Sequence, residues 1–324
     1  FNSTNEMESR VLSIQSHVVS GICGNKSAVF PLQTLGFEVD FINSVQFSNH
    51  TGYGTWTGQV LHESELLELF SGLKKNDLHR NYTHILTGYA RSSSFLEAVH
   101  SVISEIKTIS PNAIYLCDPV LGDEGKLYVP EELVPIYRDR IVPLADVVTP
   151  NQFEAELLTG TKITDIKSAI TAIDVLHAKG IKTVVISSTE LSFGGAAGGS
   201  SNNLVAIASS TVGRGSSSAD TAAAAVVPQR FQIAIPRFDA TFIGTGDLFA
   251  ALFLAWLTKT NFDLKRTLEN VVASLQAVIK RTYAFAINRP GGIKSWANIE
   301  LKTIQGRADI LQPNVEIAAE EVVL

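Results

Sequence analysis

Residues 83–119 read THILTGYARSSSFLEAVHSVISEIKTISPNAIYLCDP, and the fold class follows from them. Thr83–Leu86 is a short apolar strand with Gly88 just beyond it. From Phe95 to Ile109, apolar residues at 95, 96, 99, 102, 103 and 106 fall on one face of a helix. Pro111 stops that helix, and Ala113–Leu116 opens a second strand that ends at Asp118-Pro119. Two strands separated by a helix pair in parallel, with the helix lying across the sheet.

Working outward, the alternation recurs. Val11–Ile14, Phe37–Asn43, Asp146–Val148, Thr183–Ile186, Leu204–Ala208 and Phe231–Ile235 read as strands. Ala28–Leu35, Ser64–Leu73, Asn151–Leu158, Ile166–Ala178, Thr245–Leu257 and Leu264–Ala286 read as helices. The pattern predicts an α/β fold, a three-layer sandwich whose central, mainly parallel sheet is flanked by helices. Residues 1–9 read as a flexible N-terminus and 10–324 as a single domain. A Gly/Ala/Ser-rich insert at about 193–227 reads as loops within that domain, because the strand-and-helix pattern resumes after it. In such sheets the polar site lies beyond the strand C-termini, and Ser16, Asp118, Thr149 and Ser187 all fall at that edge.

Composition narrows the function class. A chain of 324 residues, 45% hydrophobic and 18% charged, buries a large core and does not read as disordered. A net charge of −6 without a long basic run argues against a nucleic-acid partner. Cys23 and Cys117 supply neither a disulfide framework nor a zinc spacing; they read as buried thiols in a reducing compartment. The polar start has no signal-peptide pattern, and Leu248–Leu257 falls short of the roughly 20 residues a membrane helix needs. The expected location is the cytoplasm, with no membrane partner.

Five segments carry chemistry. Gly244-Thr245-Gly246-Asp247 runs directly into a helix. Its glycines allow close backbone approach, and the helix N-terminus presents free N–H groups to an anion such as a transferring phosphate. Asp247 sits where it could take a proton from an attacking hydroxyl; an ordinary acidic first turn is the alternative. Asp118 and Asp123 flank a Pro-Val-Leu-Gly turn, a hard-oxygen pair suited to Mg²⁺ or else an Asx-capped turn. Thr149-Pro150-Asn151-Gln152-Phe153-Glu154 starts a helix, with Thr149 read as its N-cap, Pro150 as its first residue and Glu154 able to help place Mg²⁺. Ser13-Ile14-Gln15-Ser16-His17 ends a strand; the Gly21 and Gly24 that follow do not make a Walker A loop. Ser44–Tyr53 mixes hydrogen-bonding groups with Val45 and Phe47, which suits a flat polar heterocycle as well as an ordinary polar loop.

Together with Leu86-Thr87-Gly88-Tyr89, these segments run from about residue 10 to 287, and the sequence resembles the pyridoxal kinase family of the ribokinase-like superfamily. The run Ser44-Val45-Gln46-Phe47-Ser48-Asn49-His50-Thr51-Gly52-Tyr53 is its most specific part and resembles the eukaryotic type. The resemblance implies transfer of the ATP γ-phosphate to the 5′-hydroxyl of pyridoxal, pyridoxine or pyridoxamine. It implies Asp247 as catalytic base beside Gly244, Thr245 and Gly246. It gives Ser16 and Thr51 as hydrogen-bonding residues for the pyridine substrate, and Val45, Phe47 and Tyr89 as its ring lining. Asp118, Asn151, Glu154, Ser187, Ser188, Thr245 and Gly246 fall at the ATP site. Asp118, Asp123 and Glu154 surround Mg²⁺, and Thr149 and Ser187 a monovalent cation such as K⁺. A homodimer is implied, with each site inside one subunit. Ser187 stands where the family often has Thr, 123–128 is short beside some animal members, and 193–227 does not resemble the family strongly. A hydroxymethylpyrimidine kinase and a non-catalytic vitamin-binding relative are the competing readings; the 44–53 run and the retained acids argue against them.

Overall fold

The computed structural model describes residues 9–191, 203–212 and 227–323. The expected flexible start, apart from Ser9, and most of the 193–227 insert lie outside the described residues. In chain order the strands are β1 (Arg10–Val18), β2 (Glu38–Phe47), β3 (Gly58–Val60), β4 (His84–Thr87), β5 (Ile114–Cys117), β6 (Gly122–Asp123), β7 (Lys126–Leu127), β8 (Val147–Val148), β9 (Thr183–Thr189), β10 (Asn203–Ser210), β11 (Gln229–Pro236) and β12 (Glu320–Glu321). The helices are α1 (Asn25–Thr34), α2 (Glu63–Lys75), α3 (Ser93–Ile109), α4 (Leu133–Ile136), α5 (Gln152–Thr159), α6 (Ile166–Ala178), α7 (Thr245–Lys259), α8 (Leu264–Ile287) and α9 (Arg307–Leu311).

Among the described residues, ten strands join in one sheet in the order β12-β11-β10-β9-β8-β5-β4-β1-β2-β3. The span from β9 to β2 is parallel throughout. β10, β11 and β12 continue it antiparallel at one edge, and β3 closes the other. The strand residues alternate between two cores with the period of the pleat. Leu12, Ile85, Tyr115, Val148, Val184 and Ile207 face the core under α3 and α6. Val11, Leu86, Leu116, Val147, Val185 and Ala206 face the core shared with α1, α7 and α8. Strands apolar on both faces can only sit in the middle layer, so the three-layer sandwich follows from the sequence of the strands themselves.

Two local features place the site. Two steps along β1, Gln15 to His17, match three along β2, Asn43 to Gln46, so β2 carries an extra residue at Ser44–Val45. Asn25, the buried first residue of α1, accepts the Ser13 hydroxyl at 2.8 Å and donates to the Ile42 carbonyl at 3.0 Å and to Asn43 Oδ1 at 2.8 Å. This network fixes the start of α1 against β1 and β2, and with it the preceding Gly24. No helix among the described residues is long and apolar enough to cross a membrane.

Candidate active site

α7 is apolar on all sides, with nine of its residues between Leu248 and Leu257 buried. A helix of that kind is held from every direction and gives its N-terminus a fixed place. Gly244 caps it at φ 82°. A Cβ at Gly244 would lie 2.3 Å from the Ile22 carbonyl oxygen and 3.0 Å from Cys23 Cα, so backbone conformation and close approach both require glycine. The Gly244 carbonyl accepts the Ser27 hydroxyl at 2.8 Å, which ties the cradle to α1. The N–H groups of the first turn have no partner within the helix and carry the positive end of its dipole.

Asp247 lies in that first turn, and its Oδ2 accepts the Gly24 N–H at 2.7 Å. Burial raises its pKa, while the Gly24 bond opposes the rise. Gly24 is itself packed on Ser16: a Cβ there would meet the Ser16 carbonyl at 2.0 Å and the Ser16 hydroxyl at 2.4 Å. Ser16, Gly24 and Asp247 are therefore contiguous. Next to them Val45 and Phe47 are buried with Val18 and Cys23, and Tyr89 and Ile243 pack against that group. The three residues expected to line a ring meet in one cluster, and Ile243 leads from it straight into the cradle. Thr51 is exposed and opens the 3-10 turn Thr51–Tyr53 at the rim.

On the other side of the cradle, a Cβ at Gly246 would lie 3.9 Å from Asp118 Oδ2. Asp118 is buried after β5 and accepts the Thr149 hydroxyl at 3.4 Å. Its pKa is well above the usual carboxylate range, first through burial and then through Glu154 and Asp247. Glu154 Oε1 accepts the Leu121 and Gly122 N–H groups at 2.9 and 3.4 Å, and Oε2 accepts the Asn151 N–H at 2.9 Å. Burial pushes its pKa up to about 7 against these bonds. Carboxylates crowded into a buried site in this way lack positive charge, so the donor set fits a cation. Among the described residues no group of three or more His, Cys, Asp or Glu side chains closes around a metal. An open half-shell of hard oxygens is the type of site Mg²⁺ takes when waters and phosphates complete its coordination.

Some expectations change. Thr149 is not the cap of α5 and Pro150 is not its first residue; Asn151 is the N-cap, accepting the Glu154 N–H at 2.9 Å. The reason is local: Thr149 turns to Asp118, the Pro150 carbonyl accepts the Ser187 N–H at 2.8 Å, and Asn with Glu three residues on forms a capping box. The Asn151 amide also donates to the Gly122 carbonyl at 2.7 Å. Asp123 is exposed on the β6–β7 hairpin, where its Oδ1 accepts the Glu124 N–H at 2.8 Å; partial desolvation raises its pKa and that bond opposes the rise. Ser16 and Ser187 lie inside β1 and β9 rather than after them, and Ser188 follows Ser187 in β9. Both cysteines are buried and free. A cavity of about 700 Å³, lined by Phe41, Val60, Leu69 and Leu73 among others, lies behind β2 and contains none of the expected site residues.

The family model described as phosphomethylpyrimidine kinase matches residues 81–292. A pyridoxal kinase of Ovis aries is 48% identical over 320 residues, 97% of this chain and 99% of that protein. One of Arabidopsis thaliana is 48% identical over 311 residues, 96% of this chain and 94% of its own length. The chain belongs to the pyridoxal kinase family. Among solved pyridoxal kinases, that of Leishmania donovani in complex with ADP and pyridoxamine superposes with a TM-score of 0.84 at 33% identity, covering 98% of this chain and all of that one. The acids, the capping box and the cradle fall within the matched span 81–292, whereas Ser16, Val45, Phe47 and Thr51 precede it.

Three residues beside the candidate site carry no signal in the sequence. Gly24 is visible there as a glycine but not as the donor to Asp247. Asn25 lies before the predicted helix start at Ala28, whereas α1 begins with it. Glu300, which accepts the Ile22 N–H at 2.8 Å, has no local pattern around it.

Proposed function

We propose that this chain transfers the γ-phosphoryl group of ATP to the 5′-hydroxyl of pyridoxal, and of pyridoxine and pyridoxamine, forming the 5′-phosphates in vitamin B6 salvage. One observation carries the reading: the Asp247 carboxylate stands where a helix N-terminal anion cradle meets an aromatic and aliphatic cluster of Val45, Phe47 and Tyr89. Phosphoryl transfer asks for placement and charge neutralisation more than for covalent chemistry. The N–H groups at Gly244, Thr245 and Gly246 hold negative charge as it develops on the moving group. Asp247 orients the substrate hydroxyl and takes its proton late in the transfer, and the Gly24 bond keeps the carboxylate aimed. Ser16 and Thr51 hydrogen-bond the pyridine substituents.

Asp118, Asp123 and Glu154 would hold Mg²⁺ with its waters, and Thr149 and Ser187 a monovalent cation such as K⁺. The divalent ion supplies charge neutralisation at the phosphates. Asn151 and Ser188 lie along the expected path of the nucleotide. The cytoplasm is the proposed location, in keeping with two buried, unpaired thiols. A homodimer is proposed as well, each site lying within one subunit; Phe41, Leu69 and Leu78, each about half exposed on one side of the molecule, supply apolar surface for it.

The decisive experiment is an ATP-consumption assay on purified protein with pyridoxal, pyridoxine and hydroxymethylpyrimidine. Turnover of the two B6 vitamers at kcat/KM at least tenfold above the pyrimidine is expected. Preference for hydroxymethylpyrimidine would overturn the pyridoxal assignment in favour of a hydroxymethylpyrimidine kinase.

A further inference from the structure

Glu300 lies outside every segment that the reaction uses, yet its carboxylate joins two parts of the site. Its Oε2 accepts the Ile22 N–H at 2.8 Å. Its Oε1 accepts the Tyr53 hydroxyl at 3.2 Å and faces His50 Nε2 at 3.4 Å. The side chain is only 12% exposed, and a Cβ on Gly21 would lie 2.6 Å from Oε1. His50 and Tyr53 bracket Thr51, and the rings of both contact Trp296 on the segment that leads to Glu300. On the other side, the Ile22 carbonyl lies against Gly244 and the Gly24 N–H is held by Asp247. Residues 21–24 thus form a wedge between the rim that carries Thr51 and the cradle that carries the base. One carboxylate fastens the wedge to the rim.

We propose that Glu300 is a positioning residue that sets the substrate rim at Thr51 in register with Asp247, and so controls pyridoxal recognition without touching the substrate. The inference rests on the reaction assigned above. It requires both carboxylate oxygens as acceptors: Ile22 N–H uses one, and Tyr53 and His50 share the other. Glutamine has the same size but a single acceptor oxygen and no charge; with that oxygen on the Ile22 N–H it accepts from neither Tyr53 nor His50, and its amide must donate there instead, which weakens that side of the latch.

The test compares full-length wild type, Glu300→Gln and Tyr53→Phe. Glu300→Gln is expected to raise KM for pyridoxal about tenfold and lower kcat about threefold, with KM for ATP within about twofold. Amide hydrogen exchange is expected to quicken about tenfold in peptides covering 20–24 and 49–54, while peptides from α7 stay unchanged. Tyr53→Phe raises the pyridoxal KM about threefold, and the effect largely disappears in the Glu300→Gln background. An unchanged pyridoxal KM with unchanged exchange at 20–24 overturns the proposal. So does a loss shared equally by both substrates with exchange rising throughout the protein, which marks a merely structural role. A wild type inactive on every B6 vitamer overturns the reaction instead, and the exchange pattern then decides the latch by itself.

Discussion

The cradle side of the cleft and the substrate side are held in opposite ways. At the cradle the groups proposed to act are backbone N–H groups and one carboxylate in the first turn of α7, a helix buried on all sides. The substrate side hangs on an edge: the last residues of β2, the three-residue β3 and a single 3-10 turn, with Thr51 exposed. What steadies that edge comes from far along the chain, at Trp296 and Glu300. On the proposed reading, the difference teaches that charge handling is built into a helix end, whereas substrate recognition depends on contacts between distant segments. Damage on the first side should strike turnover, and damage on the second should strike affinity.

The largest effect expected is at the base. Asp247→Ala should lower kcat about 1,000-fold while pyridoxal affinity, measured by calorimetry, stays within about threefold. Near-normal kcat would remove Asp247 from the mechanism. Gly244→Ala comes next. The positive φ and the contact with Ile22 should cost about 2–3 kcal/mol in denaturant unfolding and most of the activity. A fully stable Gly244→Ala protein would show that the cradle is softer than the rim, reversing the contrast.

A pH experiment sharpens the acid side. Glu154 has its pKa pushed from 4.5 to about 7 by burial, so the folded chain holds that proton more tightly than the unfolded one. Its contribution to stability is complete below pH 4.5 and is lost as the pH rises to 7; Asp118 shifts the same way. Metal-free protein should lose on the order of 2–3 kcal/mol of unfolding free energy between pH 5 and 8. Mg²⁺ should restore more of it at pH 8 than at pH 5. A stability profile flat across that range would contradict the burial of unneutralised carboxylates. The smallest effect belongs to the rim itself: Thr51→Val should raise the pyridoxal KM about fivefold and leave kcat alone, the value of one hydrogen bond.

The same contrast explains what was legible in the sequence. The strands and helices of the sandwich follow from period-2 and period-3.6 patterns, and α6 begins and ends where its apolar stripe does, at Ile166 and Ala178. The helix start at Gly244–Asp247 was legible from two glycines and an acid ahead of an apolar run, and that pattern alone left an anion cradle and an ordinary acidic first turn both open. β3, the β6–β7 hairpin and β12 were not, since two or three residues are too few to show a period. The α5 cap was misassigned to Thr149 because Thr and Asn are both good caps, and only the position of Asp118 decides between them. Val45, Phe47 and Tyr89 were picked out through resemblance; no local pattern says that Tyr89 reaches across to β2. Glu300 was beyond reach for the same reason, since its partners lie about 250 positions earlier or more.

Those long spans bear on how the protein is made. The Gly24–Asp247 bond joins residues 223 positions apart, and the Ile22–Glu300 bond joins residues 278 apart. A chain emerging from the ribosome can pair β1, β2, β4 and β5 early, since all lie before residue 118. It acquires the proposed base only after residue 247 has emerged, and the proposed fastening of the rim only after residue 300. On the proposed reading, the site therefore stays open until residues made long after β1 and β2 have joined them.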